Sequence, residues 1–295
     1  MKLILFLLAY LAISQITHAQ YTTDSIKIDD HFRTFAFQPL TSAQKGYTVI
    51  FILHGSGGTG KDMMAPSAVL QKLAPREHLL LVYPDGYKRY WNECRKAATS
   101  EANQLDVNEQ GFFNGMIKYF EARYKINTKA FFAIGLSGGG HMAYKLALTM
   151  PARFKAISAI VANLPDTTNL DCAEAKKPVA VMITNGTKDP LNHYNGGDII
   201  IGGNDWGAIR STERTFAYWA QLAGYTGNPT VINLPDADTT NDQSITRYTY
   251  SETDKPEVTL LKVNGGTHAF PKDMDIFLES WYFFKREMAR EARIK

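Results

Sequence analysis

The feature that most constrains this chain is a series of short, bare apolar runs, each stopped by a loop rich in glycine or asparagine. Tyr47 to Leu53 ends in His54-Gly55-Ser56-Gly57-Gly58, and His78 to Tyr83 ends in Pro84-Asp85-Gly86. Lys129 to Leu136 runs straight into Ser137-Gly138-Gly139-Gly140. Phe154 to Val161, Val179 to Thr184 and Val258 to Val263 have the same character. Runs without polar alternation are what strands buried on both faces require. Between them lie segments of helical period: Glu109 to Tyr124, His141 to Met150, Thr212 to Ala223 and Met274 to Met288. Strands alternating with helices predict an α/β fold, a mostly parallel sheet with helices on both faces. Tyr21 to Pro39 is expected to add an antiparallel start, and residues 185–207 and 235–256 to form surface loops beside the site. No linker divides the chain, so a single domain over residues 20–295 is expected.

The first residues carry one charge, Lys2, before the apolar stretch Leu3 to Ile13 and the polar Ser14-Gln15. Ala19 is small enough for a signal-peptidase site, so residues 1–19 read as a leader cleaved before Gln20. The expected location is therefore secreted or periplasmic. No apolar run reaches the roughly 18–20 residues of a membrane span, so no membrane association is expected after leader cleavage. The net charge of +3 comes without a lysine–arginine cluster and excludes a nucleic-acid footprint. A monomer is expected. The two cysteines, Cys94 and Cys172, suggest one disulfide in an exported protein, with two buried thiols as the alternative. Neither has a neighbour at ligand spacing, so no metal site is expected.

In a doubly covered parallel sheet, chemistry gathers at the carboxyl ends of the strands. The unusual loops fall there. Gly135-Leu136-Ser137-Gly138-Gly139 matches G-x-S-x-G between a strand and a helix, the setting in which a serine on a tight turn is exposed as a nucleophile. Such a serine needs a base, and the base an orienting acid, following in the order Ser, Asp, His. Asp189 follows the Val179 run in Asn185-Gly186-Thr187-Lys188-Asp189-Pro190, and His268 follows the Val258 run in Gly265-Gly266-Thr267-His268. Asp166 and Asp171 are rival acids, and His193 is the rival base. The N–H of Ser56 with that of Gly138 is expected to form an oxyanion hole. Gly60-Lys61 lacks the Ser or Thr and the spacing of a phosphate-binding loop. Trp91, Tyr194 and Trp206 are candidate substrate-binding aromatics, with loop or core anchoring as the alternative. No metal or organic cofactor is called for by this chemistry.

With these pieces in order, the sequence resembles the secreted α/β-hydrolases of the polyhydroxybutyrate depolymerase-like and feruloyl esterase-like type, carbohydrate esterase family 1. The matching pieces also include Tyr83-Pro84-Asp85-Gly86, Trp91-Asn92 and Asp106-Val107, and together they span most of residues 20–295. The resemblance implies an α/β-hydrolase fold, a Ser137–Asp189–His268 triad, oxyanion donors at Ser56 and Gly138, and a Cys94–Cys172 disulfide. It implies hydrolysis of carboxylic esters, with feruloyl or acetyl esters on plant polysaccharide favoured and a hydroxyalkanoate or related polyester as the alternative. A catalytically silent binding protein on the same fold is the reading of another class. Departures fall at His193, where the family often has proline, at Ala269, where a bulkier residue is usual, and at Gly224-Tyr225 and Tyr250-Ser251, which lack a second disulfide.

Overall fold

The computed structural model describes residues 21–40 and 46–294. The proposed leader, with its cleavage point, lies outside the described residues. The strands are β1 (Thr22–Ile28), β2 (His31–Phe37), β3 (Tyr47–Leu53), β4 (Leu79–Pro84), β5 (Ile126–Leu136), β6 (Phe154–Ile160), β7 (Ala180–Gly186), β8 (Gly197–Ile201), β9 (Asn204–Ile209), β10 (Thr230–Asn233), β11 (Ser244–Glu252) and β12 (Lys255–Asn264). The helices are α1 (Ala68–Glu77), α2 (Glu101–Gln104), α3 (Glu109–Arg123), α4 (Gly138–Thr149), α5 (Thr212–Leu222) and α6 (Ile276–Ile294).

Ten strands form one sheet in the order β1-β2-β4-β3-β5-β6-β7-β12-β11-β10. The middle, from β4 to β12, is parallel. Both margins are antiparallel, so the antiparallel start foreseen near Tyr21 is there as β1 and β2. The strand period of two explains the bare runs. In β3, Val49, Phe51 and Leu53 face a layer built with Phe112 and Phe113 of α3 and Met142 of α4. Ile50 and Ile52 face the opposite layer, with Leu70 of α1 and Phe284 of α6. Every side chain of β3 is buried, so polar alternation would have no water to meet.

Two expected loops are partly strand. Residues 185–207 contain β8 and most of β9, a separate antiparallel hairpin turned at Gly202-Gly203, both at positive φ. Residues 235–256 contain β11, which pairs with β12. These strands are exposed on one side or both, so they lack the bare apolar run that marks a doubly buried strand. Likewise His78 does not begin a strand; it ends α1 in the left-handed conformation (φ 53°), and β4 starts at Leu79. Helix α1 carries Pro75, a residue that ordinarily ends a helical pattern, which hides it from a pattern reading.

Candidate active site

Gly135-Leu136-Ser137-Gly138-Gly139 joins β5 to α4 through a turn in which Ser137 sits at φ 52° and ψ −117°. A non-glycine residue there stores backbone strain, and close packing shows why its neighbours are glycine. A Cβ on residue 135 would lie 2.0 Å from the Gly139 carbonyl oxygen, and one on residue 139 would lie 2.4 Å from that of Leu53. The turn is held from the next strand, where the Ile160 carbonyl accepts from Ser137 N–H at 2.8 Å.

Strand β7 delivers Asp189 and β12 delivers His268, each on the loop after its carboxyl end. The pieces meet. His268 Nε2 is 2.9 Å from Ser137 Oγ, and His268 Nδ1 is 2.8 and 3.0 Å from the two Asp189 oxygens. Asp189 Oδ1 also accepts the N–H groups of Leu191 and Asn192, at 2.8 and 2.9 Å. These four contacts leave the carboxylate as an acceptor only, so His268 Nδ1 donates to it and Nε2 is free to accept from Ser137. The rivals stand elsewhere. Asp166 pairs with Arg214, Asp171 lies beside Lys145 and Asp106, and His193 is exposed.

The Ser56 loop lies against the start of α4: a Cβ on residue 138 would be 2.9 Å from Ser56 N. Gly57 and Gly58 N–H groups are taken by the carbonyls of Arg89 and Gly55. Gly138 is the first residue of α4, where N–H groups have no partner within the helix and the helix end favours negative charge. His54 shapes this loop. Its Nδ1 donates to Gly55 O at 2.7 Å and its Nε2 accepts from Gly86 N–H at 2.9 Å. Burial holds its pKa below the usual histidine value, keeping the ring neutral as those two bonds demand.

Ser137 and His268 open into a cavity of about 540 Å³. Trp206 lines it, with its ring stacked near Tyr90 and the Arg95 guanidinium 5.0 Å above it. The other two aromatic candidates do not line the cavity. Trp91 is buried against the His54 ring and donates its indole N–H to His54 O at 2.9 Å. Tyr194 is buried with Lys262 across its ring. Both side chains brace the loops instead, because the apolar interior competes successfully for a large ring. Sequence reasoning passed over Arg95, His141 and Asn192, which also line the cavity. For His141 the sequence does hold a signal: its spacing, one helical turn after Ser137.

The remaining motif pieces explain this frame. Asn92 Nδ2 donates to Asp106 Oδ1 and Val107 O, and Lys145 donates to Asn92 O, fixing the loop that carries Arg95. Cys94 and Cys172 are joined in a disulfide that ties the same loop to the one before β7. Among the described residues, no group of three or more His, Cys, Asp or Glu side chains could hold a metal ion, and no helix is long and apolar enough to cross a membrane.

A family described as "Putative esterase" matches residues 27–212, more than half of the chain. The chain belongs to this esterase family. It is 25% identical over 168 residues, 56% of this chain, to a "Putative esterase NocK" of Nocardia uniformis. It is 24% identical over 190 residues, 63% of this chain, to a "Probable feruloyl esterase C" of Aspergillus niger. The chain spans 46% and 60% of the length of these two relatives. An acetyl xylan esterase from Aspergillus awamori superposes with a TM-score of 0.59 at 15% identity, over 89% of this chain and 99% of that one. At that identity the likeness concerns the fold, which is the α/β-hydrolase fold.

Proposed function

We propose that this member of the esterase family is an exported serine carboxylic ester hydrolase, acting as a monomeric single catalytic domain once residues 1–19 are removed. The observation that carries the proposal is the unbroken hydrogen-bond chain from Asp189 through His268 to Ser137 Oγ, ending at the mouth of a cavity. His268 takes the proton as Ser137 Oγ bonds to the ester carbonyl carbon. Asp189 holds the ring in the right tautomer and stabilises the imidazolium. The developing oxyanion lies toward the N–H groups of Ser56 and Gly138. The carbonyl reforms as the bond to the alcohol oxygen breaks, and His268 returns its proton to that oxygen. Water, deprotonated by His268, then clears the acyl-enzyme and regenerates Ser137. No organic cofactor enters these steps.

The favoured substrates are feruloyl or acetyl esters of plant polysaccharide, in keeping with the feruloyl esterase relatives. The apolar lip of the cavity at Leu191, Ile199, Ile201 and Phe270 favours a second reading, hydrolysis of a hydroxyalkanoate or related polyester. Methyl ferulate, acetylated xylan and a short polyester, assayed side by side, separate the two. A fluorophosphonate probe tests the class itself, because only an activated Ser137 reacts. Absence of labelling together with absence of turnover on all three esters would leave the silent binding protein as the correct reading.

A further inference from the structure

Three side chains lining the cavity carry buried hydrogen-bonding atoms that have no partner in the protein. Asn192 is 2% exposed, lines the cavity, and neither its amide oxygen nor its amide nitrogen has a hydrogen-bond partner. His141 is 4% exposed, lines the same cavity, and its Nδ1 has none. The Trp206 indole N–H is also buried there without an acceptor. Buried polar groups in native proteins are almost always satisfied, and each one left open carries a desolvation cost. Four such atoms on three side chains lining one cavity mark a place where something else completes the bonding.

The set of open groups describes what that something is. Trp206 Nε1 and the Asn192 amide nitrogen are donors; the Asn192 amide oxygen is an acceptor. The His141 ring is kept neutral by burial and by the positive charge of Arg95, and its one favourable contact is an N–H toward the Asn163 backbone. With Nδ1 unpartnered, that N–H is on Nε2, so Nδ1 is an acceptor. The formal charge of Arg95 is already matched: Glu93 accepts from the Arg95 side chain at 2.7 Å and from its backbone N–H at 3.0 Å. A carboxylate on the substrate would meet a guanidinium that has its counter-ion. A plain alkyl chain would leave donors and acceptors both unsatisfied. A hydroxyl both donates and accepts and carries no charge.

We propose that Asn192, His141 and Trp206 form a recognition site for uncharged hydroxyl groups on one half of the ester. The site makes the protein selective for hydroxylated esters over alkyl or aryl esters of the same shape. This deepens, and rests on, the proposed ester hydrolase function. Asn192 is placed by the same turn that builds the triad, since its backbone N–H is held by Asp189 Oδ1. Recognition and chemistry are thereby in register.

The test is binding to the full chain carrying Ser137→Ala, which leaves these three side chains intact and does not consume the ester. Two matched pairs are titrated by calorimetry. Methyl 4-hydroxycinnamate against methyl cinnamate places the hydroxyl on the acid half; 2,3-dihydroxypropyl benzoate against propyl benzoate places it on the alcohol half. The hydroxylated member of at least one pair is expected to bind roughly tenfold more tightly or better. Adding Asn192→Leu or, separately, His141→Phe is expected to bring the pair within about twofold. Equal affinities in both pairs, or no binding of any of the four esters at millimolar concentration, overturns the proposal. So does a preference that survives both replacements in folded protein. Fluorophosphonate labelling of the unaltered chain reports independently on the nucleophile. A hydroxyl preference without labelling would keep the recognition site and reject the hydrolase.

Discussion

His268 Nε2 stands 2.9 Å from Ser137 Oγ across a separation of 131 positions in the chain. Two strands from the parallel middle of one sheet carry them, β12 and β5, with β7 and β6 between. Because the strands are parallel, all their carboxyl ends open on one rim, and loops distant in sequence converge there. Replacing Ser137 by alanine removes the only group in this contact that can bond to a carbonyl carbon. Ser137→Ala is expected to lower ester turnover by roughly 10⁴–10⁶-fold, with the thermal melting curve little changed. An undiminished rate on a chromogenic ester would show that another residue attacks.

Asp189→Asn is a sharper test, because the side chain keeps its shape. Leu191 and Asn192 N–H groups both point at Oδ1, so an asparagine keeps its oxygen on that side. Its NH₂ then faces His268 Nδ1 and forces the proton to Nε2. That nitrogen could no longer accept from Ser137. The expected loss is about 10⁴-fold in turnover, as tautomer errors of this kind cost elsewhere. Steady-state kinetics with an unchanged circular dichroism spectrum is the check; a loss below tenfold would contradict the assigned orientation.

The rim was legible in the sequence because each of its loops follows a doubly buried strand. A strand without solvent contact is built mostly of apolar residues, as β3 and the first half of β7 are, and the loop after it then stands out. The same physics hid β8, β9 and β11. Their exposed positions take Asp198, Asp205, Ser244 and other polar residues, so they read as loops. It also misdirected the reading of the aromatics. Trp91 and Trp206 lie in similar polar sequence, yet one fills the space behind His54 and the other lines the cavity. Composition carries no information on which side of a loop faces the interior. Asn192 and the unpartnered Nδ1 of His141 were invisible for the same reason: their importance lies in having no partner, which only packing reveals.

Gly139→Ala is expected to prevent stable folding, although it adds a single methyl. The new Cβ would lie 2.4 Å from Leu53 O and 2.6 Å from His54 O. Both are backbone atoms of the sheet and the loop leading to Ser56, and neither can turn aside as a side-chain end could. Overpacking of this kind costs at least about 1–3 kcal/mol where side chains can adjust. Yield of soluble protein and the near-ultraviolet dichroism spectrum are the measurements. A well-folded Gly139→Ala protein would mean that the elbow is looser than its contacts indicate.

Acid should destabilise the fold beginning near neutrality. Burial lowers the pKa of His54, and burial with Arg95 and His268 lowers that of His141. In the unfolded chain both titrate near about 6.5. Between that value and the depressed folded values the unfolded state binds more protons. Stability therefore falls as pH drops below about 6.5, by at most about 1.4 kcal/mol per pH unit for each histidine. His54 gives a specific cause, since protonated Nε2 could not accept from Gly86 N–H. Melting temperatures across pH 5–7 should show a shallower slope for His54→Gln than for the unaltered chain. Identical slopes would assign the acid sensitivity elsewhere.

The Cys94–Cys172 disulfide should matter for stability and for the shape of the cavity wall. It closes a segment of 78 positions, for which loop entropy sets a ceiling of about 4–5 kcal/mol. The surrounding backbone is already paired: Lys96 N–H donates to Asn169 O at 2.7 Å and Asp171 N–H to Cys94 O at 3.2 Å. Some of the order therefore survives reduction, and a loss of about 2–4 kcal/mol is expected, or roughly 5–15 °C in melting temperature. Because Arg95 adjoins Cys94, KM for a hydroxylated ester should rise more than kcat falls when both cysteines are replaced by serine. Thermal melts with and without reductant, alongside kinetics of the double replacement, check both parts. A melting temperature indifferent to reductant would mean that the pairing around Asn169 and Leu170 holds the loop unaided.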